Sequence, residues 1–196
     1  MKKIVLEVLD YVKIIIIALI VTNLLNVFVF SLSQVRQSSM EPTLIEKDQL
    51  LVERLSYSFS KPKTGDIIVF IDELEVENSI TARFKRLYED MLSKMKKQEG
   101  HLRLVKRVVG VPGDKIDIVD GLVYVNDQLL EEPYLKVPTS AKELSYPLVV
   151  PEGEYFVMGD NRTVSYDSRD FGFIPFEKIE GKVVFRFWPL SKVGGL

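Results

Sequence analysis

The chain has 196 residues, 28% of them charged and 46% hydrophobic, with a formal net charge of −2 at pH 7, one histidine and no cysteine. That length suits one domain plus an anchor, or one domain carrying a small insertion. The slightly acidic balance argues against a general nucleic-acid binder, and the cysteine and histidine counts exclude disulfides, thiolate or His-rich metal sites and a Cys nucleophile.

The first predicted element is apolar throughout. Residues 14–35 carry no charge and are bracketed by Lys13 and Arg36. As a helix rising ~1.5 Å per residue they reach about 33 Å, enough to cross a bilayer. A buried soluble helix is rarely hydrophobic on every side. A cleaved signal peptide, for which Ser31-Leu32-Ser33 offers a small-x-small pattern, has a shorter apolar core. The segment is therefore read as an uncleaved transmembrane anchor over 14–35. Lys2, Lys3, Lys13 and the terminal amine favour residues 1–13 in the cytoplasm and residues 36–196 outside it. The bias is modest, since Glu7 and Asp10 precede the span and Arg36 and Lys47 follow it.

Short strands dominate the rest. Gln49–Glu53, Asp66–Phe70, Leu102–Val109 and Lys182–Phe187 are rich in β-branched and other apolar residues, with turn signals at Lys63-Thr64-Gly65-Asp66, Val111-Pro112-Gly113-Asp114 and Pro151-Glu152-Gly153-Glu154. Ile116–Val119, Asp120-Gly121 and Leu122–Val125 predict a hairpin with a two-residue primed turn. Any second subdomain within 115–150 is then a minimal β-hairpin insertion. One segment is helical instead. Starting at Ile80, apolar residues recur at Phe84, Leu87, Tyr88, Met91, Leu92 and Met95, while Arg83, Lys85, Arg86, Lys94, Lys96 and Lys97 face Glu89, Asp90 and Glu99 on the other side. This insert, 79–99 with its helix over 80–97, either packs on the sheet with a solvated charged side or lies against anionic lipid or a partner.

A serine hydroxyl becomes a useful nucleophile only when a base takes its proton. His101, in the polar connection Gln98-Glu99-Gly100-His101, has the setting of a surface histidine. Lys106 sits in a strand whose alternation puts Leu104, Lys106 and Val108 on one face and Val105, Arg107 and Val109 on the other. An apolar environment lowers a lysine pKa, and a fall from ~10.4 to about 8 corresponds to roughly 3 kcal/mol. Alternation alone leaves an ion-paired structural lysine equally open.

Three blocks occur in order behind the apolar run. They are Ser39-Met40-x-Pro42-Thr43-Leu44, then Lys106-Arg107-x-x-Gly110-x-Pro112-Gly113-Asp114, then Gly159-Asp160-Asn161-Arg162-x-x-Ser165-x-Asp167-Ser168-Arg169-x-x-Gly172. Together they resemble the signature blocks of bacterial type I signal peptidases, and the likeness covers the chain from the anchor to Trp188-Pro189. The resemblance implies a mainly β fold, with antiparallel β-sheets forming a groove behind an N-terminal transmembrane helix. It implies a membrane-anchored serine endopeptidase that removes signal peptides from exported preproteins. Ser39 would be the nucleophile and Lys106 the general base, with Ser165 hydrogen-bonded to the lysine amine. Asp160, Arg162, Asp167 and Arg169 would form a supporting charged cluster, structural rather than chemical. Met40 would line the substrate cleft and seat the domain near lipid. The implied partners are preproteins with small residues at the −1 and −3 positions and the lipid bilayer, with no nucleic acid, metal or cofactor.

Two features depart from the pattern. Gln37 stands where the family usually has a Ser or Gly, and a Ser there can donate to the oxyanion. The helical insert lengthens the Ser39–Lys106 gap beyond that of compact family members. These departures keep a rival reading open, a non-catalytic factor on the same fold that assists assembly of surface proteins; retention of both Ser39 and Lys106 opposes it. A soluble self-cleaving Ser/Lys regulator would need a DNA-binding domain where this chain has an apolar run.

Overall fold

A computed structural model describes residues 2–72, 79–96, 98 and 100–196 of the chain. Helix α1 spans Lys2–Phe28, and its Glu7–Phe28 part contains an 18-residue stretch with a mean hydropathy of 2.2 that is unburied, while Val27 at its end is buried against the protein. At ~1.5 Å per residue this part measures about 33 Å, matching a bilayer core. Asn23 and Asn26 donate their side-chain amides to the carbonyls of Leu19 and Thr22 at 2.7 and 3.0 Å, so each polar group finds a partner along the helix itself.

The expected apolar element over 14–35 is corrected here. Glu7, Asp10 and Lys13 lie inside α1, and the helix ends at Phe28. Beyond it, Phe30-Ser31-Leu32-Ser33-Gln34 alternates with a period of two and forms strand β1 (Phe30–Gln34). A strand needs a partner for its backbone groups, and β2 (Gln49–Glu53) supplies one in the register Phe30↔Glu53 through Gln34↔Gln49. The β domain thus begins at Phe30 rather than at Arg36.

After β2 come β3 (Ile67–Ile71), α2 (Ile80–Lys96), β4 (Arg103–Gly110), β5 (Lys115–Val119), β6 (Leu122–Val125), β7 (Gln128–Leu129) and β8 (Leu148–Val149). β9 (Glu154–Met158), α3 (Ser168–Phe171), β10 (Ile174–Pro175), β11 (Ile179–Trp188) and β12 (Gly194–Gly195) complete the chain. Pairing among the described residues is antiparallel. The large sheet runs β1-β2-β11-β3-β4-β9-β10 with β12 on β11, and the small one runs β7-β6-β5-β8.

Strand β3, Ile67-Ile68-Val69-Phe70-Ile71, is buried along its whole length because the large sheet is covered on both faces. Ile67 and Val69 pack with Met40, Leu44, Leu50, Val52 and Val183; Ile68 and Phe70 pack with Leu104, Val108, Tyr155, Val157 and Ile174. At roughly 1.5–3 kcal/mol per fully buried large apolar side chain, β3 alone contributes on the order of 10 kcal/mol of apolar burial. Its neighbour β4 is held by this core in the register Ile68↔Lys106. A third cluster, Val109, Ile116, Val123, Val150, Phe156 and Met158, joins the small sheet to the large one. The expected hairpin is present: Val119 pairs with Leu122 across Asp120 (φ 51°) and Gly121 (φ 81°), the left-handed pair that a primed turn requires. Strands β7 and β8 enlarge that hairpin into a sheet.

Helix α2 occupies the expected insert; Lys97 and Glu99 of that insert lie outside the described residues. Arg83 and Arg86 face the protein with Arg54, around Glu180, and Arg103 pairs with Asp90 at 2.8 Å. The helix therefore docks largely through charged residues, with Phe84, Leu87 and Leu92 of its apolar side only partly buried.

Candidate active site

The segment after β1 is pinned at two points. Met40 and Leu44 insert into the core on one side of the sheet, and Leu44 N donates to Met40 O at 2.9 Å to close a turn. From the other side Asn161 N donates to Ser39 O at 3.0 Å, and Asn161 Nδ2 donates to Ser38 O at 3.2 Å. Gly159 approaches so closely that a Cβ there would stand 2.4 Å from Ser39 O and 2.2 Å from Ser165 Oγ. Only a glycine fits, and the Ser39 side chain is left facing β4.

Lys106 extends from β4 on the face it shares with Leu104 and Val108, as alternation predicts, and is 1% exposed. Its Nζ lies 2.8 Å from Ser39 Oγ, in hydrogen-bond contact. Burial pushes the amine down to about 8; Asp167 and Asp72 oppose that fall and Lys142 adds to it. With such a value roughly a tenth of the amine is neutral at pH 7 and half at pH 8. A buried, partly neutral amine in contact with an alcohol can take its proton. His101 Nε2 lies instead 3.2 Å from Glu89 Oε2, beside α2.

The charged cluster surrounds this pair. Asp160 accepts from Arg107 Nε and Nη2 at 2.9 and 2.7 Å and from Thr43 Oγ1 at 2.6 Å. The Arg107 guanidinium also stands 4.1 Å over the Tyr134 ring. Asp167 caps α3, accepts from Gly159 N at 3.1 Å, and receives Arg169 Nε and Nη2 at 2.8 Å each. Burial raises the Asp167 carboxyl, but hydrogen bonding and charge from Arg169 outweigh it, so the group rests below its ordinary value. Arg162 pairs with Glu132, bonds Thr139 Oγ1 and donates to Gly159 O at 3.1 Å. Arg169 Nη2 donates to Arg162 O at 2.8 Å, and Lys142 donates to Ser165 O at 2.7 Å while pairing with Asp170. Residues 132–142 thereby strap the 159–170 turn against Ser39.

The signal peptidase family, peptidase S26, matches this chain over residues 8–188. The chain belongs to that family. It is 37% identical to a probable signal peptidase I-2 of Synechocystis sp., over 93% of this chain and 74% of the relative. It is 36% identical to a signal peptidase I of Leptolyngbya laminosa, over 88% of this chain and 75% of the relative. A signal peptidase I of Bacillus caldolyticus is 36% identical, over 90% of this chain and 89% of the relative.

Against the expectations drawn from signal peptidases, Ser39 and Lys106 come together and Asp160, Arg162, Asp167 and Arg169 gather behind them, all buried. Two expectations are corrected. Ser165 Oγ is buried and does not bond Lys106; it lies beside the Asp167 carboxyl, whose pKa it helps to lower, and packs over Gly159 in the space a Cβ would fill. Met40 is 1% exposed among Leu44, Leu50 and Val52, so it reaches neither lipid nor an open cleft. Consecutive residues of the turn point opposite ways, and with Ser39 directed at β4 its neighbour enters the core. Gln37 is exposed and makes no hydrogen bond among the described residues. Sequence reasoning assigns no role to Thr43, Arg107, Glu132, Thr139 or Lys142. The first two lie inside signature blocks, next to Pro42 and Lys106, which was the available signal; the other three occupy an ordinary-looking polar loop.

Proposed function

We propose that this chain cleaves N-terminal signal peptides from exported preproteins, as a membrane-anchored serine endopeptidase with Ser39 as nucleophile and Lys106 as general base. The observation that carries this reading is the 2.8 Å contact between Ser39 Oγ and the buried Lys106 Nζ. As Ser39 Oγ bonds the scissile carbonyl carbon, its proton passes to the Lys106 amine. The resulting ammonium gives that proton to the leaving nitrogen as the C–N bond breaks, leaving an ester on Ser39. Water then attacks the ester, Lys106 takes one of its protons, and the proton returns to Ser39 Oγ as the acid product leaves.

Oxyanion stabilisation falls to the backbone N–H of Ser39, which bonds nothing among the described residues. Asp160, Arg162, Asp167 and Arg169 hold the backbone around this pair. The substrate adds along a strand edge and presents small residues at −1 and −3 to shallow pockets. Helix α1 anchors the β domain at the bilayer, with the N-terminus in the cytoplasm and the β domain outside; the basic residues before the span support that orientation. A preprotein tethered in the same membrane meets the site at a raised effective concentration.

The test is a timed incubation of the purified full chain with a preprotein, reading the new N-terminus by mass. Wild type should release the mature chain and Ser39→Ala should not. An intact preprotein with both would instead favour the non-catalytic assembly factor, and cleavage by Ser39→Ala would refute the assigned nucleophile.

A further inference from the structure

Helix α2 turns the centre of its apolar stripe away from the protein, while Phe84, Leu87 and Leu92 are partly buried. Tyr88, Met91 and Met95, which recur at helical spacing, are 57%, 51% and 74% exposed. The opposite side of the helix is occupied: Asp90 pairs with Arg103 at 2.8 Å, and Arg83 and Arg86 sit with Arg54 around Glu180. Rolling the stripe inward would pull these charges out of their contacts. A soluble helix does the reverse, burying its apolar face and solvating its charges, so these three side chains call for a cover that the described residues do not provide.

What covers it follows from where the stripe begins. One turn before Tyr88, Phe84 meets Phe28 edge to face with ring centroids 6.1 Å apart. Phe28 is the last residue of α1, whose Glu7–Phe28 stretch is bilayer-length and exposed except near its end at Val27. The face of α2 that touches the end of the membrane helix is thus the face that carries Tyr88, Met91 and Met95. Exposed Lys85 and Lys96 flank it, placed to meet anionic headgroups while the apolar residues enter the acyl boundary.

The geometry points to α2 as an interfacial helix: it lies on the bilayer surface beside the exit of α1, with Tyr88, Met91 and Met95 immersed in lipid. This inference rests on α1 spanning the membrane and is independent of the assigned chemistry. In that position α2 fixes how the β domain sits over the bilayer, because α1 alone is a single pivot.

The absence of cysteine makes the test direct. Single Tyr88→Cys, Met91→Cys and Met95→Cys variants of the full chain are spin-labelled and reconstituted in vesicles of phosphatidylcholine with a minority of phosphatidylglycerol. Collisions with oxygen, which concentrates in lipid, are compared with collisions with a water-soluble nickel chelate. Ile16→Cys in α1 and Lys61→Cys on the exposed surface of the β domain serve as lipid and water references. All three α2 labels should collide several-fold more with oxygen than with nickel, as Ile16→Cys does. Water-like labels on α2 beside a lipid-like Ile16→Cys would overturn this proposal alone. A water-like Ile16→Cys would overturn the anchor as well. Spin–spin broadening at Met91→Cys, the mark of a second copy seated on the stripe, would also overturn it.

Discussion

Lys106→Met replaces a buried amine by an apolar chain of similar length, and the pKa of Lys106 sets what should follow. The folded amine titrates at about 8 against an ordinary 10.5. Between those values the unfolded chain binds more protons than the folded one, so wild-type stability rises with pH across that window. Below about 8 the penalty for burying the amine is complete. At pH 7 it amounts to about 3 kcal/mol, from roughly 1.4 kcal/mol per pKa unit. Losing the hydrogen bond to Ser39 returns about 1 kcal/mol. The variant should therefore be more stable than wild type by about 2 kcal/mol at pH 7 while losing cleavage altogether. The gain should shrink as pH rises from 8, reach zero near pH 10 and turn into a deficit of about 1 kcal/mol above 10.5, since methionine does not titrate and only the lost hydrogen bond remains once the wild-type amine is neutral in both states. Urea unfolding of the detergent-solubilised full chain, followed by the fluorescence of its single Trp188, reads both quantities. A variant less stable than wild type at pH 7, or a gap unchanged between pH 7 and 10, would refute the reasoning.

Gly159→Ala tests the packing behind the site. Its new Cβ would meet Ser165 Oγ at 2.2 Å and Ser39 O at 2.4 Å, forcing the nucleophile segment away from β4. Displacement of that order costs about 10²-fold in kcat/KM, together with roughly 1–3 kcal/mol of overpacking in the urea midpoint. Unimpaired turnover of a peptide substrate would show the contact to be slack. Arg107→Ala strands the buried Asp160 carboxylate with Thr43 as its remaining side-chain partner. Stability should fall by about 3–5 kcal/mol; a loss under 1 kcal/mol in the same unfolding assay would mean that the pair is solvated.

Legibility divides along physical lines. Periodicity identified the hairpin at Ile116–Val125 and placed Lys106 on the buried face of β4, because a strand's alternation is a local property. The end of α1 was not legible. Phe30-Ser31-Leu32-Ser33 carries no charge, so hydropathy extends through it, while its conversion to strand depends on β2, which is remote in sequence. Met40 was misplaced for a similar reason: whether a residue beside the nucleophile enters the core depends on the turn, which Asn161 and Leu44 close together. The charged residues of the third block were visible, yet Asp160 finds Arg107 and Arg162 finds Glu132 across long stretches of chain. For α2 the sequence showed two faces without saying which one docks; Glu180 and Asp90 decided in favour of the charged one.

The claim on which the mechanism turns is that an uncharged Lys106 takes the proton of Ser39. The pH dependence of kcat/KM on a preprotein substrate measures the proton uptake of the free enzyme directly. It should rise tenfold per pH unit on its acid side and level off through about 8, the value set by burial of the amine. A profile flat from pH 6 to 10, or one still climbing through 10.5 as an ordinary lysine would dictate, would contradict the account.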